Sequence, residues 1–241
     1  MMFLASNGYR CIAHHRRGHN RSSQPWDSNN CDTFVGHSMG GGEAARYIGK
    51  FGSARASKAV LIAAVTPLML KTAANPEGTP LSAFDGIRAG LQADRARRYK
   101  DLTSPFFGFN RTDIKDSQGR RETFTTLGMQ SSLRSSYECV KQFSETDFTE
   151  DLKKMTLPTL IIHGDDDQIV PIAPPAMAAA KILKNNRLEI YKDAAHAIPQ
   201  MNKDKLHADL LAFLKQAGSR QVTRDSGFKR LASVSWLLPA G

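Results

Sequence analysis

Continuous apolar runs alternate along this chain with stretches of helical spacing. Ala59-Val60-Leu61-Ile62-Ala63-Ala64-Val65 and Leu157-Pro158-Thr159-Leu160-Ile161-Ile162-His163 carry almost no interior polar positions, and Arg187-Leu188-Glu189-Ile190-Tyr191 is a shorter run of similar kind. Short runs of this type predict strands, and the unbroken ones predict strands covered on both faces. Tyr9-Arg10-Cys11-Ile12-Ala13 alternates and predicts a further strand, after a helix end over Met1 to Asn7 that Gly8 stops. Helical spacing covers Glu43 to Lys50, ending near Gly52, then Ile172 to Leu183, then Lys203 to Gln216, where Leu206, Leu210, Leu211 and Leu214 share one face. Strand, helix, strand order of this kind predicts a mostly parallel sheet joined by right-handed crossovers, an α/β architecture with flanking helices.

Two stretches break the alternation. Thr66 to Asp151 has no strong strand signal; Pro67, Pro76, Pro80 and Pro105 punctuate it, and Phe84, Ile87 and Leu91 recur at helical spacing. Short helices are expected over Arg121 to Met129 and Leu133 to Phe143, so the stretch reads as a helical cap inserted over the sheet's edge. Its Phe84, Phe106, Phe107, Phe109, Phe124 and Phe143 fit either a substrate pocket or plain core. Gly218 to Gly241 lacks clear periodicity and reads as an irregular tail with an apolar plug at Trp236-Leu237-Leu238. The expected organisation is one domain over 1–217, with its cap at about 66–151, and a tail over 218–241.

Composition narrows the class. The chain has 241 residues, 41% of them hydrophobic, enough for one sizeable core. Its formal charge of +10 invites a nucleic-acid partner, but the Lys and Arg residues are spread out rather than gathered in a stripe, so no nucleic-acid partner is expected. The odd count of three cysteines, Cys11, Cys31 and Cys139, without metal-like spacing, points to free thiols in a reducing compartment. Neither a signal peptide nor a membrane span is legible, and the expected location is cytoplasmic. The loop His14-His15-Arg16-Arg17-Gly18-His19 has no fixed frame for a metal, and its arginines would repel a cation.

The chemistry is concentrated in Phe34-Val35-Gly36-His37-Ser38-Met39-Gly40-Gly41-Gly42. Gly-x-Ser-x-Gly between an apolar pair and a helix-forming run describes a nucleophile elbow, a turn that projects Ser38 clear of the sheet. The N–H of Met39, at the positive end of the following helix, is then placed to donate to an oxyanion. Only Phe34 and Val35 precede Gly36 as apolar residues, so the strand is either very short or recruits the loop before it. A serine hydroxyl needs a histidine to take its proton and a carboxylate to orient that histidine. Asp167, in Gly164-Asp165-Asp166-Asp167-Gln168-Ile169-Val170-Pro171, and His196, in Asp193-Ala194-Ala195-His196, each follow an expected strand, where functional residues of parallel sheets gather. The aspartate triplet also admits a solvated turn or a hard-metal site; its fixed place between a strand and Val170-Pro171 favours a catalytic carboxylate, with Asp165 and Asp166 as turn formers.

At these residues the chain resembles the α/β-hydrolase superfamily, in particular its cofactor-free haloperoxidase and aryl esterase branch. Tyr9-Arg10-Cys11-Ile12-Ala13-His14, Arg16-Arg17-Gly18-His19 and Ser144-Glu145-Thr146-Asp147-Phe148 share in the resemblance, which runs from Met1 to about Leu214. It implies Ser38 as nucleophile, Asp167 as orienting acid, His196 as general base and Met39 as an oxyanion donor. It also implies that Met39, Val65 and Ile169 lie near the acyl pocket, to which Met69, Phe107 and Phe143 are added as candidate lining. It implies no metal or other cofactor, a small ester or carboxylic acid as substrate, a perhydrolase or haloperoxidase side activity, and a homo-oligomer.

The resemblance also exposes departures. His15 stands where the family has aspartate, and Asn20 where it has glycine. Several strands and a His-Gly loop carrying a second oxyanion donor are expected before Met1, and a helix and most of a strand between Thr33 and Phe34. The expected fold is therefore an incomplete α/β-hydrolase, with the elbow strand short of neighbours on one side. A second reading follows, in which the chain is an impaired remnant or misjoined gene model that binds, if anything, through the basic loop around Arg16 and Arg17. Lactone or C–C bond hydrolysis remains open within the enzyme class.

Overall fold

The computed structural model describes residues 2–12, 32–53, 56–216 and 231–235. In chain order these form α1 (Met2–Ser6), β1 (Arg10–Ile12), β2 (Asp32–His37), α2 (Met39–Phe51), β3 (Ala56–Ile62), α3 (Leu81–Phe107), α4 (Gln118–Met129), α5 (Leu133–Glu145) and α6 (Thr149–Lys154). Then come β4 (Thr159–Gly164), a π-type turn at Ala173–Met177 running into α7 (Ala178–Ile182), β5 (Asn186–Tyr191), α8 (Ile198–Met201), α9 (Lys203–Lys215) and β6 (Leu231–Ser235). All strand pairs are parallel, in the order β1-β6-β2-β3-β4-β5.

Side-chain alternation explains why the apolar runs are unbroken. Val35, Val60, Ile62, Leu160 and Ile162 face a core shared with Leu206, Leu210, Phe213 and Leu214 of α9 and Leu4 of α1. Ala59, Leu61 and Ile161 face the opposite core with Ala44, Ala45 and Ile48 of α2, Leu152 of α6 and Ala179 of α7. Each interior strand therefore buries both faces, and period-two polarity has no place in it. The stretch between Thr66 and Asp151 holds the helices α3, α4 and α5 and the start of α6, and α3 kinks at Asp94, whose carboxylate accepts the N–H of Arg97 at 2.9 Å and starts its second half.

One open alternative on element boundaries is decided and two expectations change. β2 recruits Asp32 and Thr33 from the preceding loop and reaches six residues, because β3 and β6 extend alongside it and offer those residues partners. β3 ends at Ile62, and Ala63 to Val65 leave the sheet, beginning at Ala63 with φ 45°. The tail is not wholly irregular: Leu231–Ser235 is a strand inserted between β1 and β2, with Leu231 opposite Asp32 and Ser235 opposite Gly36. The elbow strand thus has neighbours on both edges, and the expected open side is filled. Nothing in the tail's own polarity pattern announces this, since the pairing is a matter of backbone groups meeting two strand edges. The His14 to Ser23 loop with Arg16 and Arg17, Cys31, and Trp236-Leu237-Leu238 lie outside the described residues.

The buried Lys58 of β3 ties the end of α9 to the sheet. Its Nζ donates to the carbonyls of Phe213 at 2.6 Å, Leu214 at 3.2 Å and Gln216 at 2.7 Å, so a cation closes the negative end of α9. Lys58 pairs with Thr33 of β2, which in turn pairs with Ala232, so α9 ends two strand positions from where β6 starts. Among the described residues no helix is long and apolar enough to cross a membrane.

Val234 lies opposite Val35, and Val234→Pro removes a ladder donor from a strand paired on both sides. The expected result is a melting temperature lower by roughly 4 to 8 °C, equivalent to about 2 kcal/mol for a chain of this size. An unchanged thermal unfolding curve would remove β6 from the sheet.

Candidate active site

The candidate side chains Ser38, Asp167 and His196 stand after the carboxyl ends of β2, β4 and β5. Ser38 sits between β2 and α2 with φ 56° and ψ −123°, a conformation that a residue other than glycine adopts only when its surroundings hold it there. Those surroundings are three backbone bonds: Ser38 donates to the carbonyl of Ile62 at 2.8 Å, and its own carbonyl accepts from Gly41 at 3.0 Å and Val65 at 3.3 Å. A side chain at Gly36 would run into the backbone of Gly40 and Gly41, which is why the turn needs glycine there. Met39 is the first residue of α2.

Asp167 is held from two sides. Oδ1 accepts the N–H groups of Ile169 at 2.9 Å and Val170 at 2.8 Å, while Oδ2 accepts from Nδ1 of His196 at 2.7 Å. Both residues are buried, at 4% and 1% exposure. A carboxylate only accepts, so the proton of neutral His196 is assigned to Nδ1 and its lone pair to Nε2. Burial by itself pushes the Asp167 carboxyl up, but His196, His163 and the Val170 N–H outweigh it and hold the group below the usual carboxylate value. The other two aspartates tie loops together. Asp165 accepts the N–H of Asp193 at 2.6 Å, and Asp166 pairs at 3.0 Å with Arg111, which also donates to the carbonyl of Asp193 at 2.6 Å.

His37 and His163 complete a buried group of imidazoles. Nε2 of His37 donates to the carbonyl of His196 at 2.9 Å, and the two rings lie 4.8 Å apart. Nε2 of His163 donates to the carbonyl of Val170 at 2.7 Å and stands 3.5 Å from Oδ2 of Asp167, while its Nδ1 is buried without a partner. Phe106, at the end of α3, sets its ring edgewise against both His196, at 5.0 Å, and His37, at 6.3 Å. Ser38 and His196 are not hydrogen-bonded to each other among the described residues.

The pattern that models the alpha/beta hydrolase fold matches residues 32–199, most of the chain and all of the groups above. The chain belongs to the α/β-hydrolase family. It is 46% identical over 234 residues to a non-heme haloperoxidase of Rhodococcus erythropolis, covering 89% of this chain and 85% of that one. A bifunctional esterase/perhydrolase of Acinetobacter calcoaceticus is 39% identical with the same coverage. Among solved structures, a bromoperoxidase from Bacillus anthracis superposes with a TM-score of 0.75 at 32% identity, over 83% of this chain and 79% of that one. These relatives place the chain in the branch that holds the non-heme haloperoxidases.

In this hydrolase the sequence-derived pocket candidates fall in one apolar cluster. Val65, Met69 and Phe107 are buried there with Phe106, Phe148 and Val170, and Phe143 and Ile169 pack partly buried against them. Ala197, next to His196, belongs to the same cluster and donates its N–H to the carbonyl of Phe106 at 3.0 Å. Sequence reasoning singled out neither His37 nor His163 beyond their presence in motifs, and it missed the Arg111 tie. A histidine next to the nucleophile, and another closing a buried strand, were the available signals.

Burial first, then the nearness of His196, lowers His37 to about 3, and burial likewise lowers His163. Both rings stay neutral in the folded chain but bind a proton in the unfolded chain below their ordinary 6.5. The unfolded state then carries more protons, so stability is full above 6.5 and falls as pH drops from there toward 3. His37 alone removes about 2 kcal/mol by about pH 5. Urea unfolding at these two pH values measures it: the loss should be present in the native chain and smaller in His37→Phe.

Proposed function

We propose that the chain is a serine esterase acting on small or aryl esters through an acyl-enzyme on Ser38. The supporting observation is the buried Asp167–His196 pair at 2.7 Å, with an imidazole whose free nitrogen is Nε2, in the same sheet-end region as a serine held at positive φ. Ser38 Oγ attacks the ester carbonyl while His196 Nε2 takes its proton, and Asp167 stabilises the imidazolium that results. The carbonyl oxygen gathers negative charge, toward which the Met39 N–H and the positive end of α2 are directed. Collapse of the tetrahedral adduct breaks the bond to the alkoxy group, which leaves as alcohol with the proton from His196. Water then gives a proton to Nε2, attacks the acyl carbonyl and frees the acid and Ser38.

Hydrogen peroxide in place of that water yields a peracid by the same steps, and the names of the Rhodococcus and Acinetobacter relatives favour this as a side activity. The chemistry in this scheme calls on no metal or organic cofactor. The acyl or aryl group occupies the cluster of Val65, Met69, Phe107, Phe143 and Ile169, whose apolar surface suits an uncharged substrate. The odd count of cysteines without metal-like spacing fits a cytoplasmic location, and a homo-oligomer completes the proposal. The 66–151 segment acts as the cap of a single hydrolase unit.

A fluorophosphonate probe tests the reading directly. The native chain should label on Ser38, Ser38→Ala and His196→Gln should not, and Asp167→Asn should turn over an aryl acetate about 10³ to 10⁴ times more slowly by presenting the wrong tautomer. A native chain that does not label, or a label that survives Ser38→Ala, refutes it.

A further inference from the structure

We propose that His37 is a positioning residue: by donating its Nε2–H to the carbonyl of His196 at 2.9 Å, it sets the base loop in register against the strand that carries Ser38. The inference rests on the reading of Ser38 and His196 as nucleophile and base. The hydrogen bonds of Asp167 fix the rotation of the His196 ring, and the Ile169 and Val170 N–H groups fix Asp167, but these ties belong to the loop after β4. Ser38 is fixed by backbone bonds to Ile62, Gly41 and Val65, which belong to β3, the elbow and the turn that follows β3. Neither set determines how far the base loop stands from the serine. His37 is the last residue of β2, directly precedes Ser38, and reaches across to the backbone of His196 itself.

The rest of the surroundings suit that task. The His196 carbonyl also accepts the N–H of Ile198 at 2.9 Å within its own turn, and the Ala197 N–H is tied to Phe106 of the cap, so the His37 bond is the tie toward the nucleophile strand. Phe106 packs edgewise on the His37 ring at 6.3 Å and limits its rotation. The titratable groups that face the ring are His196, Asp167 and His163. A carbonyl only accepts, so the single proton of neutral His37 resides on Nε2 and the bond persists wherever the ring is uncharged. A misplacement of about 1 Å between reacting groups lowers turnover by about a hundredfold, so a tether of this kind acts on rate rather than on substrate affinity.

The test compares His37→Leu and His37→Phe, which lack a donor, with His37→Gln, which retains an N–H at similar reach, all in the full chain. Expected for the donor-less variants is a kcat about 10- to 100-fold below native at unchanged KM, with His37→Gln recovering most of the loss. A second readout needs no turnover: the downfield proton resonance of the His196 Nδ1–H on Asp167 should broaden or vanish in the donor-less variants and return in His37→Gln. Whichever donor-less variant folds supplies both readings. Retention of kcat within about twofold and of the resonance in that variant overturns the proposal, as does an equal loss in His37→Gln. If the native chain fails to label on Ser38, the esterase reading falls, and the resonance alone decides whether His37 holds the base loop.

Discussion

The backbone of β2 has two edges, and the groups along both must be satisfied where the sheet excludes water. β3 supplies one edge and β6 the other, and the position of Ser38 depends on that arrangement. The strand ends in a residue at φ 56°, which the sheet stabilises by bonding its N–H to Ile62 and its carbonyl to Val65. An elbow on a strand free on one side would have fewer constraints holding it in that sparsely populated conformation. Among the described residues, two other non-glycine residues with positive φ, Ala63 and Asp193, lie after β3 and β5, so local strain is gathered at the same end of the sheet as the candidate chemistry.

The loops that carry Asp167 and His196 are knitted together rather than merely adjacent. Asp165 holds the N–H of Asp193, Arg111 of the loop after α3 bridges Asp166 and the Asp193 carbonyl, and a side chain at Gly164 would collide with the backbone of Ala194. The end of α3 also reaches these loops. Its Phe106 carbonyl accepts from Ala197 while its ring covers two imidazoles, so movement of the end of α3 would be felt at the base loop. Partly exposed pairs such as Arg111 with Asp166 contribute little to stability on their own; here they act by restricting the relative placement of three loops.

Charge in this region is economical. Among the buried groups described at the site, Asp167 carries a negative charge and meets it with two backbone N–H groups and His196, while burial keeps His37 and His163 neutral. A second imidazolium beside Asp167 would compete with His196 for the same oxygen, because His163 stands only 3.5 Å from it. Low dielectric thus has two effects: it strengthens the acid–base bond and suppresses its competitors.

The turn at Ser38 and the parallel α/β class were legible in the residues because each is built from local signals. Glycine spacing around Ser38 reflects one turn, and Asp167 and His196 each follow a run whose apolar character is set by burial on both faces. The same runs placed β3 three residues too late at its end, since Ala63 to Val65 are buried outside the sheet and burial alone does not distinguish strand from turn. What only the tertiary structure decided was which groups meet across distance. Leu231–Ser235 has little strand signal and pairs because two edges stand open to it; His37 and His163 are neutral donors because packing removes their water; Asp32 and Thr33 extend β2 because partners lie beside them. Periodicity records which side chains avoid water, whereas hydrogen-bond partners are chosen by chain segments brought together only when the sheet closes.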